Sequence, residues 1–253
     1  MSEQKTAIVT GAAGGIGAAL VKRLADRGIN VVLVDLNTEA LDEVRKDAGL
    51  TDENSLILKA DVSVEEEVQG YVDATMQKFG RIDYFANNAG IESPVAPTEE
   101  QTVATLDKVY AVNVRGVFLG LQKVLPVMKA QGSGAIMNTS SLAGIMAAPG
   151  FSPYIMSKHA VIGLTRTAAA EAAPSGVRVN AVLPGTINTQ MMRRIEDSSG
   201  IPDEFKAAND AATPLGRYGE AEEVAAVMNF LLSDEASFVS GSLYTVDGGM
   251  VQQ

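Results

Sequence analysis

Short runs rich in Val, Ile, Leu and Thr alternate with longer amphipathic or Ala-rich segments along the whole chain. This alternation restricts the possible folds more than any other feature. Strands are expected at Thr6–Thr10, Asn30–Asp35, Ser55–Ala60, Ile82–Asn87, Gly134–Thr139, Val177–Leu183 and Ser242–Asp247. Helices are expected near residues 15–28, 38–48, 64–79, 99–130, 154–173 and 220–232. Strands separated by helices of this length imply crossover connections and a parallel sheet, hence an α/β fold. The runs Ile8-Val9, Val31-Val32-Leu33-Val34 and Val179-Asn180-Ala181-Val182-Leu183 are apolar on both faces, as strands covered by helices on both sides should be. The 253 residues suit one such domain, and no repeat or linker divides residues 1–253. Residues 186–214 stand apart. This segment is longer than an ordinary connection and reads as a lid or mobile loop over a binding site.

Composition narrows the function classes. A net charge of −11 argues against binding nucleic acid through its phosphates and against an anionic membrane surface. The chain has no cysteine, so disulfides, thiolate nucleophiles and Cys-based metal sites are absent together. That suits a cytoplasmic location. No signal sequence is expected in Met1-Ser2-Glu3-Gln4-Lys5, and no apolar run is long enough to span a bilayer. No metal site is expected from the ligand spacing.

The first strand runs into Thr10-Gly11-Ala12-Ala13-Gly14-Gly15-Ile16-Gly17, which opens a helix. Glycines let the backbone turn sharply and approach a pyrophosphate, whose charge a helix N-terminus favours. A tight strand–helix connection is the bland alternative, but the strand–turn–helix setting favours a dinucleotide. Asp35 ends the second strand, where a carboxylate accepts hydrogen bonds from a ribose diol and repels a 2′-phosphate. Neither Ala12-Ala13 nor Leu36-Asn37 supplies a cation for such a phosphate, so NAD is expected rather than NADP, with Leu36 beside it. The alternative for Asp35 is a helix N-cap. Asp61-Val62 follows the third strand and either meets the adenine edge or heads the next helix. Asn88-Ala89-Gly90 offers small residues close to a ligand; the alternative is that Asn87 and Asn88 serve only as turn formers.

Tyr154 and Lys158 lie four residues apart at the start of a helical stretch, on one face. A cation beside a phenol favours phenolate and lowers the tyrosine pKa, which would fit Tyr154 to exchange a proton with an alcohol or carbonyl oxygen. By itself the spacing more often marks a rim tyrosine and a solvated lysine. His159 is not expected to be catalytic. The run Glu65-Glu66-Glu67 reads as a solvated first turn.

Taken in order, these pieces resemble the short-chain dehydrogenase/reductase family. The resemblance runs through Thr10-Gly11-x-x-x-Gly15-Ile16-Gly17, Asn87-Asn88-Ala89-Gly90, Asn113, Ser141, Tyr154-x-x-x-Lys158, Pro184-Gly185 and the terminal Val246-Asp247-Gly248-Gly249. It implies a Rossmann-type doubly wound sheet of seven parallel strands and a homotetramer. It also implies a tetrad: Tyr154 as acid/base, Ser141 hydrogen-bonding the substrate oxygen, Lys158 depressing the tyrosine pKa and holding the nicotinamide ribose, and Asn113 holding a water with its side chain. Of the adjacent serines, Ser141 fits the family spacing better than Ser140. Ile187 and Thr189, after Pro184-Gly185, would anchor the nicotinamide carboxamide, whereas without the resemblance Thr189 is simply a helix cap.

The activity so implied is NAD(H)-dependent interconversion of a secondary alcohol and a ketone. Val114–Gly120 and Arg217-Tyr218-Gly219-Glu220 add a likeness to bacterial reductases of small cyclic ketones. One alternative is reduction of 3-oxoacyl thioesters on acyl-carrier protein, against which Asp35 counts. Another is a non-catalytic NAD-sensing protein, against which the presence of both Tyr154 and Lys158 counts. Walls are expected from Glu92–Thr98, Leu142–Phe151 and Thr186–Pro214. Whether Glu92, Glu196 or Met191-Met192 face the pocket is open from sequence.

Overall fold

The computed structural model describes residues 4–251. Most of the segment Met1–Lys5, in which no signal sequence is expected, lies outside the described residues. Seven strands form one sheet: β1 (Thr6–Thr10), β2 (Asn30–Asp35), β3 (Ser55–Lys59), β4 (Tyr84–Asn87), β5 (Gly134–Thr139), β6 (Val177–Pro184) and β7 (Leu243–Val246). Every pairing is parallel, in the order β3-β2-β1-β4-β5-β6-β7. This is the doubly wound Rossmann-type sheet. Strand order reverses between β1 and β4, and in such sheets the crevice beyond the carboxyl ends at that point binds ligands.

Alternate residues of each strand face opposite helical layers. Ala7, Val9, Val31 and Leu33 pack with α1 (Gly15–Asp26), α2 (Thr38–Asp47) and α9 (Ala221–Leu232) through Leu20, Leu41, Val224 and Met228. Ile8, Val32 and Phe85 face α3 (Glu65–Phe79), α5 (Gly116–Gln131) and α6 (Ser152–Ala172) through Tyr71, Leu121 and Val161. Two apolar layers thus explain why the strands carry no polar face. In α6, Ala168, Ala169 and Ala172 belong to this same core, while Gly163 and Ala170 stay exposed.

The long helix expected over residues 99–130 is three segments: α4 (Val103–Tyr110), a π-helical turn (Ala111–Arg115) and α5. Asn113 sits in the π turn, the kind of bulge that inserts a residue into a helix at functional positions. The segment 186–214 carries two helices beyond the expected ones, α7 (Gln190–Ser198) and α8 (Pro202–Ala212). Neither has a fully buried residue, so they form a thin cover and not part of either core layer. Glu65 pairs with Lys123 and is not simply solvated. Among the described residues no helix is long and apolar enough to cross a membrane.

Ile8 lies at the sheet centre with no exposure. Ile8→Ala should lower the unfolding free energy by about 2–5 kcal/mol, read from urea denaturation with unchanged slope.

Candidate active site

A cleft of about 630 Å³ opens at the carboxyl ends of the strands, over the β1/β4 reversal. At one end lies the turn from Gly11 to Gly17. Gly11 takes a left-handed φ of 64°, and a β-carbon there would meet the Ala89 backbone at 2.9 Å. A β-carbon on Gly17 would come to 2.1 Å from the Gly11 carbonyl oxygen, so only glycine closes this turn. Gly14, Gly15 and Ile16 also line the cleft, and the N-terminus of α1 has no side-chain cap, leaving its amides free for an anion.

Asp35 borders the same end. Its carboxylate accepts from the amides of Ala13 at 3.1 Å and Leu36 at 2.7 Å, which fixes the turn and the β2 end together. It is not the cap of α2: Asn37 accepts from Ala40 N and takes that role. A fixed carboxylate and a side-chain-free cradle fit the ribose and pyrophosphate of a dinucleotide.

Asn88 connects this end to the other. Its Nδ2 donates to the carbonyls of Thr10 and Gly11 at 3.1 and 3.3 Å, and its Oδ1 accepts from the Thr139 hydroxyl at 3.1 Å. The Thr10 hydroxyl accepts from the amides of Asn88 and Ala89 at 3.0 and 3.1 Å. Asn88 thus organises the turns around it besides lining the cleft with Ala89 and Gly90.

At the far end Ser141, Tyr154 and Lys158 line one wall. Ser141 Oγ donates to the Pro184 carbonyl at 3.4 Å and accepts from Ala143 N at 3.2 Å, and it lies near enough to Tyr154 to affect its titration. Ser140 turns away and donates to the Lys158 carbonyl at 2.9 Å. Lys158 is 4% exposed, and its Nζ donates to the Thr139 carbonyl at 3.0 Å, 5.5 Å from the Tyr154 ring centroid. The expected depression of the tyrosine is absent. Burial outweighs the lowering effect of the Ser141 hydroxyl and pushes Tyr154 up to about 12, with the Glu92 charge adding to the rise. Burial likewise pushes Lys158 down to about 8. The physical reason is that desolvation penalises both charged forms, and the ammonium points at a carbonyl.

Asn113 is held by protein partners: Nδ2 donates to the Ile91 carbonyl at 2.9 Å and to Ser157 Oγ at 3.0 Å, while Oδ1 accepts from Ile91 N at 2.8 Å. Its Oδ1 and Lys158 Nζ both lie beside Gly90, 3.3 and 3.4 Å from where a β-carbon would stand. The amide pins the loop after β4 behind the site and does not line the cleft.

Pro184, Gly185, Ile187 and Thr189 all reach the wall. Thr189 also caps α7, accepting from Met192 N at 3.3 Å. Three cofactor candidates fall outside the lining. Leu36 is exposed beside the Asp35 end. Asp61 closes a local turn, accepting from Ser63 N at 2.9 Å, and Val62 is buried against the start of α5. His159 is exposed, with Nδ1 on the Ile155 carbonyl at 3.0 Å.

The substrate side mixes expected and unexpected residues. Met146, Ala148 and Phe151 come from the loop after β5, and Met191 and Met192 both face the cavity from α7. Glu92 faces it; Glu196 does not, and instead interacts with Tyr218. Phe205 and Asn209 on α8 belong to the expected wall Thr186–Pro214 but were not singled out, and Met250 near the C-terminus lies outside every expected wall. The helical spacing of Phe205 and Asn209 was a usable signal. Met250 left none, because only the position of β7 beside β6 brings it here.

The family described as enoyl-(acyl carrier protein) reductase matches residues 11–251. Levodione reductase of Leifsonia aquatica is 46% identical over 250 residues, covering 97% of this chain and 93% of that protein. Cyclohexanol dehydrogenase of an Acinetobacter species (strain SE19) is 38% identical over 244 residues, covering 96% and 94%. The crystal structure of an NAD+-bound xylitol dehydrogenase superposes with a TM-score of 0.93 at 35% identity, covering 98% of this chain and all of that one.

Gly17→Ala tests the cradle. The added methyl meets backbone, so NADH affinity should fall by about tenfold or more, with a stability loss of about 1–3 kcal/mol. Fluorescence titration and thermal denaturation read the two effects.

Proposed function

The chain belongs to the short-chain dehydrogenase/reductase family, and we propose that it is an NAD(H)-dependent enzyme interconverting a secondary alcohol and a small cyclic ketone. One observation carries this reading. A single cleft holds a glycine cradle with a carboxylate at one end and Ser141, Tyr154 and Lys158 at the other.

Gly11, Gly14, Gly15, Ile16 and Gly17 would hold the pyrophosphate, and Asp35 the adenosine ribose diol, with Leu36, Asp61 and Val62 toward the adenine. Ile187 and Thr189, after Pro184-Gly185, would fix the carboxamide; Lys158, near Asn88-Ala89-Gly90, would hold the second ribose. When bound, the nicotinamide supplies or accepts the hydride. The protein's residues manage the proton. Tyr154, neutral at rest because burial disfavours its anion, donates its proton to the ketone oxygen in reduction. Ser141, on the same wall as Tyr154, donates a hydrogen bond to the same oxygen and stabilises charge developing there. In oxidation Tyr154 must first lose its proton. Asn113 holds the Ile91 loop and Ser157 in register behind Lys158.

The substrate class is supported by the apolar wall of Met146, Phe151, Met191, Met192 and Phe205. It is also supported by the names of two relatives, a levodione reductase and a cyclohexanol dehydrogenase. The preference for NAD rests on Asp35. A homotetramer is part of the same proposal, supported by the exposed Gly163 and Ala170 on α6.

Tyr154→Phe should lower kcat for cyclohexanone reduction by about a hundredfold or more while NADH binding persists. Because the phenol is raised, alcohol oxidation should climb with pH between about 7 and 9 while ketone reduction does not. A near-normal Tyr154→Phe enzyme would refute the assignment. Asp35→Ala should shrink the NADH-over-NADPH preference, measured as a ratio of kcat/KM, by about tenfold or more. An unchanged ratio would remove the basis for choosing NAD.

A further inference from the structure

The substrate end of the cleft contains an ion pair that the proton-transfer mechanism does not use. Glu92, two residues beyond Gly90, meets Arg194 of α7. Arg194 Nε donates to Glu92 Oε1 at 2.5 Å, and Arg194 Nη2 donates to Oε2 at 3.2 Å. Both side chains line the same cavity as Tyr154. The pairing is two-pronged, the geometry in which a guanidinium recognises a carboxylate most specifically. The Glu92 side chain is 21% exposed and the Arg194 side chain 51%, so the carboxylate is the deeper partner and the guanidinium reaches in from the cover.

Besides Arg194, the Lys108 charge also acts favourably on Glu92. Arg193 donates to Asn188 Oδ1 at 2.9 Å, Lys158 donates to the Thr139 carbonyl, and Asp35 belongs to the opposite end. Although burial raises the Glu92 carboxyl, the Arg194 hydrogen bond and charge bring it below its ordinary value, so Glu92 stays ionised. Its charge is felt at Tyr154, which places it close to the reacting end.

We propose that Arg194 is a specificity-determining residue, a carboxylate-binding guanidinium that Glu92 keeps occupied, so that the cleft takes uncharged ketones and alcohols in preference to carboxylated ones. An incoming carboxylate would have to displace Glu92 from Arg194 and then leave that acid unpaired beside it. Like-charge juxtaposition in a partly desolvated cleft disfavours such a complex. A neutral cyclic ketone disturbs nothing. Removing the Glu92 charge should therefore both lift the repulsion and free a ready-made anion partner.

This inference rests on the reading of the cleft as a ketone and alcohol site, and two measurements keep the fates of the two apart. The first compares kcat/KM for cyclohexanone and 4-oxocyclohexanecarboxylate with NADH. The unsubstituted enzyme should favour the neutral ketone, and Glu92→Gln should raise the acid-to-neutral ratio by about tenfold or more, chiefly through KM for the acid. Glu92→Gln combined with Arg194→Met should lose that gain. The second is calorimetric titration with cyclohexanecarboxylate, which needs no turnover: Glu92→Gln should gain affinity and the double variant should not. An unsubstituted enzyme that prefers the acid, an unchanged ratio in Glu92→Gln, or a gain that survives Arg194→Met would each overturn the proposal. Absence of any ketone turnover, with the calorimetric gain intact, would instead sink the oxidoreductase reading and leave the anion site standing.

Discussion

One side chain, Asn88, joins the two ends of the cleft. Its amide bonds the carbonyls that begin the glycine turn after β1, and its carbonyl oxygen accepts from Thr139 at the end of β5. The Thr139 carbonyl in turn accepts from Lys158 on α6. A parallel sheet leaves the carboxyl ends of its strands as a row of loops without mutual hydrogen bonds, and at the strand-order reversal these loops diverge. A primary amide suits that position because it donates and accepts at once, in opposite directions. The separation between cradle and proton donor is therefore set by strand spacing and a short polar chain, not by flexible loops.

The same burial that makes this chain of bonds rigid decides the chemistry at its far end. A cation near a phenol would by itself favour phenolate, but the ammonium of Lys158 is aimed at a carbonyl and both groups are removed from water. Desolvation then raises one group and lowers the other. Charge proximity read from an i,i+4 spacing gives the sign of the pair interaction only. The sign of the net shift depends on how much water surrounds the pair, which the spacing does not encode. A neutral phenol is a proton donor, and that is the form burial favours here.

The strands were legible because their constraint is local: residues that must be apolar on both faces appear as unbroken Val, Ile and Leu runs, and observed boundaries agree within a residue or two for most. The cradle was legible for a steric reason, since Gly11 and Gly17 sit where no β-carbon fits. Less visible were features fixed by partners distant in sequence. Asn37 and not Asp35 caps α2, because Asp35 is engaged by Ala13 across the turn. Asn113 lies within an expected helix, but its side chain answers to Ile91, 22 positions away. Met250 reaches the cleft only through the pairing of β7 with β6.

The cover helices were overlooked for a different reason: α7 and α8 bury no residue fully, because apolar positions such as Met191, Met192, Ile195 and Phe205 face the cleft and not a core. They are held by polar ties: the Thr189 cap, Asn188 Nδ2 donating to Glu220, and the Glu92–Arg194 pair. Polar ties at a surface contribute little stability each, so this part of the molecule opens at lower cost than the sheet. The cofactor end is thus built from steric and backbone constraints that admit few residue types. The substrate end is built from exchangeable apolar side chains and one ion pair. A sequence therefore reveals the chemistry of such a cleft more readily than the molecule it acts on.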